Sequence, residues 1–123
     1  MLDNDFHVII RNSFYRSTFV LGNKGKEYAP GEDRLSNFKK AAHFQGLSPE
    51  QALFGMLAKH LVSLAEMVGA LPNASHPLPV NPDPEAMWEE KLTDSINYLF
   101  LLEALVRERY GHRWANKGPE TAA

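Results

Sequence analysis

Three residues suggest chemistry by type and spacing: Glu90, Asp94 and Asn97, at intervals of four and three. On a helix these intervals place side chains in one stripe, one above another. The surrounding sequence is apolar at almost every position from Ile96 to Val106, which predicts a helix buried on several sides. A carboxylate and an amide entering such a helix need partners, because an unpaired buried polar group costs about 1–3 kcal/mol. Two carboxylates on one face can hold Mg²⁺ against substrate phosphates. The same stripe can instead be an interhelical network, with Asp94 paired to Lys59 or Arg34. Both roles are open at this level.

Other chemistries are missing. The sequence has no Walker loop, no dinucleotide glycine fingerprint and no Gly-x-Ser-x-Gly elbow. The histidines at 7, 43, 60, 76 and 112 include no pair four apart, which removes a helical zinc pair. A hard-metal site must therefore draw on oxygen ligands: Glu90, Asp94, Asn97, Asp33, Asn37 or Glu66. There is no cysteine, so disulfides and thiolate metal sites are excluded. With Asp3 and Asp5 where a signal peptide would be basic, the expected setting is the cytoplasm. The formal charge of −2 gives no reason to expect a nucleic-acid duplex or an anionic membrane as partner. No apolar run approaches the roughly 18 residues of a membrane span.

The elements that must position these residues are helices, in a single domain covering residues 1–123. A first helix is expected over residues 5–21, with Phe6, Ile9, Ile10 and Phe14 in helical register, although Phe19–Leu21 also reads as strand. Gly22-Asn23-Lys24-Gly25 should end it. Residues 24–33 then form a loop, whose Lys24 or Lys26 could face a phosphate. Asp33 can cap a second helix with Leu35, Phe38, Ala41 and Ala42 on its apolar face and Gly46 at its end. Ser48-Pro49-Glu50-Gln51 has the form of a capping box with proline at the first helical position. That third helix should run to Gly69, with Lys59, Ser63 and Glu66 in a polar stripe and His60 beside it. Residues 70–84 contain five prolines and read as an extended connector. Asp83 and Pro84 start the last helix and Gly111 closes it, leaving residues 112–123 as a flexible tail whose Trp114 could dock on the body. The fold class is thus all-α, a bundle of four to five helices.

Taken in order, Lys-Gly-x-x-Tyr-Ala at 24–29, Asp-Arg-Leu-x-Asn-Phe-Lys-x-Ala-Ala at 33–42, Met-Leu-Ala-Lys-His at 56–60 and Glu-Lys-Leu-x-Asp-x-x-Asn-Tyr-Leu at 90–99 form a pattern. It resembles phage and prophage proteins of the MazG-like, all-α nucleotide pyrophosphohydrolase group, near the nucleotide-modification-associated domains. The resemblance spans Lys24 to Val106, and its specific part is Lys24, Tyr28, Asp33, Asn37, Phe38, Lys59, Asp94, Asn97 and Tyr98. It implies a nucleotide ligand, Mg²⁺ as cofactor, and a homodimer or homotetramer with the site between subunits. Under it, Asp94 and Glu90 are catalytic and hold Mg²⁺, with Glu66 or Asp33 completing the set. Lys24, Arg34 and Lys59 take phosphates, Tyr28 or Phe38 stacks on the base, and His60, Asn37, Asn97 and Tyr98 complete the nucleotide site.

The chain departs from the group's pattern at the acids. Lys91 stands where Glu-x-x-Asp has its glutamate, and Lys59, His60 and Ser63 stand where Glu-x-x-Glu is expected. Lysine there can meet a phosphate directly as a point charge, so nucleotide binding carries over better than hydrolysis. Three functions follow: an Mg²⁺-dependent nucleoside triphosphate pyrophosphohydrolase, a protein that sequesters a nucleotide such as a cyclic or immune-signalling one, and an interaction module without a small-molecule site.

Overall fold

In the computed structural model, residues 1–28, 33–71 and 83–111 are described, with the side chains of 26–28 left aside. They form four helices: α1 (Asp3–Tyr28), α2 (Ser36–Gln45), α3 (Pro49–Ala70) and α4 (Pro84–Tyr110). No strand occurs among the described residues, so the all-α class holds. The connector at 72–82 and the tail at 112–123, with Trp114, lie outside the described residues.

Three helix ends follow local chemistry. The Ser48 hydroxyl accepts from Gln51 N, and Gln51 Oε1 accepts from Ser48 N, closing the capping box of α3. Asp83 Oδ1 accepts from Ala86 N at the start of α4, with Pro84 in the first turn. Gly46 ends α2 at φ 65°, a left-handed conformation that suits a residue without Cβ.

Two boundaries differ from expectation. The α1 helix does not stop at Gly22, and Phe19–Leu21 is helix rather than strand; residues 24–28, expected as loop, are its last turn. The reason is tertiary. Gly25 is buried beneath the Arg34 guanidinium, where a methyl group would overlap it, and Arg34 Nη2 donates to the Leu21 carbonyl. Gly25 thus admits a neighbour rather than ending the helix. Likewise Asp33 does not cap α2, which starts at Ser36 with Leu35 as N-cap and no side-chain cap bond. Asp33 instead builds the preceding turn: its Oδ1 accepts from Leu35 N and its carbonyl from Ser36 N.

The helices pack in the order α2, α3, α4, α1. Leu35, Leu53 and Leu105 form the core where α2, α3 and α4 meet, with Phe38, Tyr98, Leu101 and Leu102 packed against it. Two charged ties flank that core. Arg109 donates from Nε and Nη2 to the two oxygens of Glu50, at 2.7 and 2.8 Å, joining the end of α4 to the start of α3. Lys39 of α2 reaches both Asp33 and Glu108.

Helix α4 inverts its expected pattern. Thr93, Ser95 and Asn97 are buried, whereas Leu92, Leu99 and Phe100 are exposed. One local and one long-range bond satisfy two of the buried polar groups: Ser95 Oγ donates to the Lys91 carbonyl within α4, and Thr93 Oγ1 accepts from Arg16 Nε of α1. Helix α3 is long and apolar enough to cross a membrane, by length and composition only. The count of unbroken apolar runs missed this, because Lys59 and His60 interrupt the run without lowering the average enough. In this fold α3 packs between α2 and α4, with 22 % of its apolar stretch buried.

Candidate functional site

All four helices contribute to one cavity of about 310 Å³. Leu21 and Lys24 come from α1, Arg34 from the turn before α2, Asn37 and Phe38 from α2, Met56 from α3, and Asp94, Asn97, Tyr98 and Leu101 from α4. Its apolar wall is continuous with the core, since Phe38, Tyr98 and Leu101 belong to both. That continuity matters for function, because side chains fixed by packing on one side can orient a ligand on the other.

Asp94 stands at the centre of the polar wall, one turn before Asn97–Tyr98. Its side chain is 20 % exposed, with Lys24 Nζ 3.9 Å from Oδ1 and His60 Nδ1 3.9 Å from Oδ2. The expected partners Lys59 and Arg34 are not the ones found, because the extended α1 brings Lys24 across α4 and α3 turns His60 inward. Burial, and after it the neighbouring Asp94 charge, raises the Tyr98 pKa, so the phenol keeps its proton and can donate. The His60 ring lies 5.1 Å from that of Tyr98.

Two polar atoms here lack a hydrogen-bond partner among the described residues: Asn97 Oδ1 and His60 Nδ1. Asn97 lines the cavity and is only 7 % exposed. A buried amide oxygen without a donor is costly, and a ligand N–H or O–H entering the cavity would satisfy it. The two cations, Lys24 and Arg34, lie at the exposed lip. An aromatic wall, an inner acceptor and two outer cations suit a ligand with a polar ring and an anionic tail.

A second cavity of about 390 Å³ adjoins the first, lined by Arg16, Val20, Lys24, Ala86, Glu89, Glu90, Thr93 and Asp94. Lys24 and Asp94 belong to both. Arg16 is held there by Thr93 and, at 3.7 Å, by Glu89.

Of the residues expected from sequence, the structure thus gathers Lys24, Arg34, Asn37, Phe38, Asp94, Asn97 and Tyr98 on one cavity, with His60 behind Asp94. Glu90 faces the adjoining cavity with Asp94. Asp33, Lys59 and Glu66 line neither. Asp33 serves the turn, where the hydrogen bond from Lys39 and then that from Leu35 N lower its pKa. Lys59 and Glu66 are exposed on α3, so Glu66 does not join Glu90 and Asp94. The Tyr28 side chain lies outside the described residues. No group of three or more metal-ligating His, Asp or Glu converges among the described residues. Sequence reasoning missed Leu21, Met56 and Leu101, which look like ordinary core positions, and Arg16, whose partner Thr93 is 77 residues away. Comparison with family models, curated proteins and solved structures gave no match to this chain.

Proposed function

We propose that this chain is a nucleotide-binding protein of MazG-like character, acting in the cytoplasm, where a phage-encoded copy would meet host nucleotides. One observation carries the reading: Lys24, Arg34, Asn37, Phe38, Asp94, Asn97 and Tyr98, selected by sequence pattern across 75 residues of chain, line a single cavity. In this reading Lys24 and Arg34 take the phosphates, Phe38 and Tyr98 flank the base, and the Asn97 amide meets its polar edge. The cavity volume falls within the range of small-molecule sites, about 300–1,000 Å³. Binding without cleavage is favoured because Asp94, the one carboxylate on the cavity among the described residues, already has Lys24 and His60 as neighbours.

A second reading, Mg²⁺-dependent pyrophosphohydrolysis of a nucleoside triphosphate, has its own support. Glu90 and Asp94 line the adjoining cavity together, and two carboxylates with substrate phosphates are a common Mg²⁺ set. The metal would neutralise phosphate charge, and Lys24, which lines the same cavity, would orient the phosphates.

The deciding experiment incubates the purified protein with a mixed nucleotide pool, with and without Mg²⁺, and analyses filtrate and heat-released protein fraction by mass spectrometry. A nucleotide depleted from the filtrate and recovered intact on heating is the expected result. Monophosphates formed only with Mg²⁺, and lost in Asp94→Asn, would establish the hydrolase instead. No change in either fraction would overturn both readings in favour of an interaction module.

A further inference from the structure

The two adjoining cavities differ in charge, and the difference limits how long an anion can be. Among the described residues, the first cavity carries Lys24 and Arg34 against one carboxylate, Asp94. The second carries three carboxylates, Glu89, Glu90 and Asp94, against Lys24 and Arg16. Arg16 is already engaged: its Nε donates to Thr93 Oγ1, and its Nη1 lies 3.7 Å from Glu89. Lys24 belongs to both cavities. An anion held by Lys24 therefore has a cation beside it in the first cavity and carboxylates beside it in the second.

A phosphate monoester carries a charge of about −1.5 to −2 at pH 7. Lys24 and Arg34 match one such group, the first as a point charge and the second as a fork of donors. A second and third phosphate add charge without adding a cation among the described residues of the first cavity. Growing outward into solvent, they gain no partner. Growing past Lys24, they meet Glu89 and Glu90, and such like-charge contact is unfavourable.

Room sets the other limit. At about 310 Å³ the first cavity is at the small end of ligand sites, which span about 300–1,000 Å³. It offers one pair of aromatic rings, Phe38 and Tyr98, and one buried amide, Asn97. Asn97 Oδ1 has no donor among the described residues, and only a group inside the cavity can reach it. An acceptor at that depth calls for an N–H, such as the edge of one base presents. A ligand with two nucleosides, such as a cyclic dinucleotide, would leave its second base with neither rings nor amide.

We propose that the ligand is a single nucleoside monophosphate, bound without metal. Its base occupies the Asn97 end and its phosphate meets Lys24 and Arg34, while Glu89 and Glu90 exclude longer phosphate chains. The proposal rests on the nucleotide reading above and narrows it, since that reading also admits triphosphates and cyclic dinucleotides.

The test is equilibrium dialysis of the full chain in EDTA at low ionic strength, read by mass spectrometry. The dialysate holds equimolar ribo- and deoxyribonucleosides, their mono-, di- and triphosphates, and cyclic di-AMP and cyclic di-GMP. At least one monophosphate should be retained about tenfold or more over its own nucleoside and its own triphosphate, the worth of one charged hydrogen bond. Glu89→Lys should still retain that monophosphate and should raise retention of its triphosphate several-fold, because repulsion is least screened at low salt. Glu89 is 60 % exposed, so this variant tests charge rather than folding. A triphosphate or cyclic dinucleotide retained as well as every monophosphate would overturn the proposal and leave the nucleotide reading standing. An unchanged ratio of triphosphate to monophosphate in Glu89→Lys would overturn the exclusion by the acidic wall. Retention of no nucleotide at all would overturn the nucleotide reading itself, and this proposal with it.

Discussion

The two halves of α1 are built from similar residues and meet different surroundings. From Ser17 onward the helix lies along α4, buries Gly25, and lends Leu21 and Lys24 to the cavity. Before Ser17 it touches no core. The outer half is the more aromatic, yet the inner half, with two lysines and two glycines, is the one held in place. Small residues and specific polar ties decide this: Gly25 admits Arg34, and Arg16 bonds Thr93. Hydrophobicity alone does not fix where a helix docks; it sets how much surface must eventually be covered.

That contrast can be broken most directly through stability. Leu53→Ala, at a fully buried position, should cost about 2–5 kcal/mol in chemical denaturation, independent of protein concentration. Phe14→Ala, at an exposed position, should cost only about 0.5 kcal/mol or less. Equal losses in the two variants would mean that the outer half is supported within one copy.

The inner half should control the ligand. Lys24→Ala should weaken nucleotide binding about tenfold or more, as expected on losing a charged hydrogen bond, with little change in melting temperature. Gly25→Ala is a sharper probe. A methyl there meets the tip of Arg34, a flexible group that can swing aside, and alanine favours helix by about 1 kcal/mol. The variant should fold as well as wild type yet bind the ligand several-fold more weakly; unchanged affinity, measured by calorimetry, would remove Arg34 from the site.

The smallest effect concerns acid. The hydrogen bond from Arg109, the largest cause, holds the Glu50 pKa below its usual 4.5. A lowered folded-state pKa contributes stability that is present above the unfolded value and lost as pH falls through the folded one. Thermal melts should therefore fall as pH drops below about 4.5, and Glu50→Gln should flatten that limb slightly. A steeper acid loss in the variant would assign the limb to other groups, such as Asp33 with its similar Lys39 bond.

What the sequence made legible was local or periodic. Ser48, Asp83 and Gly46 mark helix ends because capping needs only neighbours a few residues away, and the helical class follows from those ends. The cavity was legible as a set of residue types, with Asp94, Asn97 and Tyr98 one turn apart on a single helix. What failed depended on distant chain. The α1 helix runs past Gly22 because Arg34, nine residues beyond Gly25, packs on it, and Asp94 pairs with Lys24 rather than Lys59 as a result. The buried Thr93 and Ser95 of α4 look like surface residues until Arg16 and the Lys91 carbonyl are in place to bond them.

Lys24 and Asp94 line both cavities. An anion that drew Lys24 away in the first cavity would leave Asp94 more negative toward the second, and a cation held there by Asp94 and Glu90 would release Lys24 for the anion. Such a shared ion pair is a thermodynamic link, and the link is reciprocal: whatever factor the cation adds to anion affinity, the anion adds to cation affinity. The 3.9 Å between Lys24 and Asp94 is then a closed form of the two sites, which oppositely charged ligands would open together.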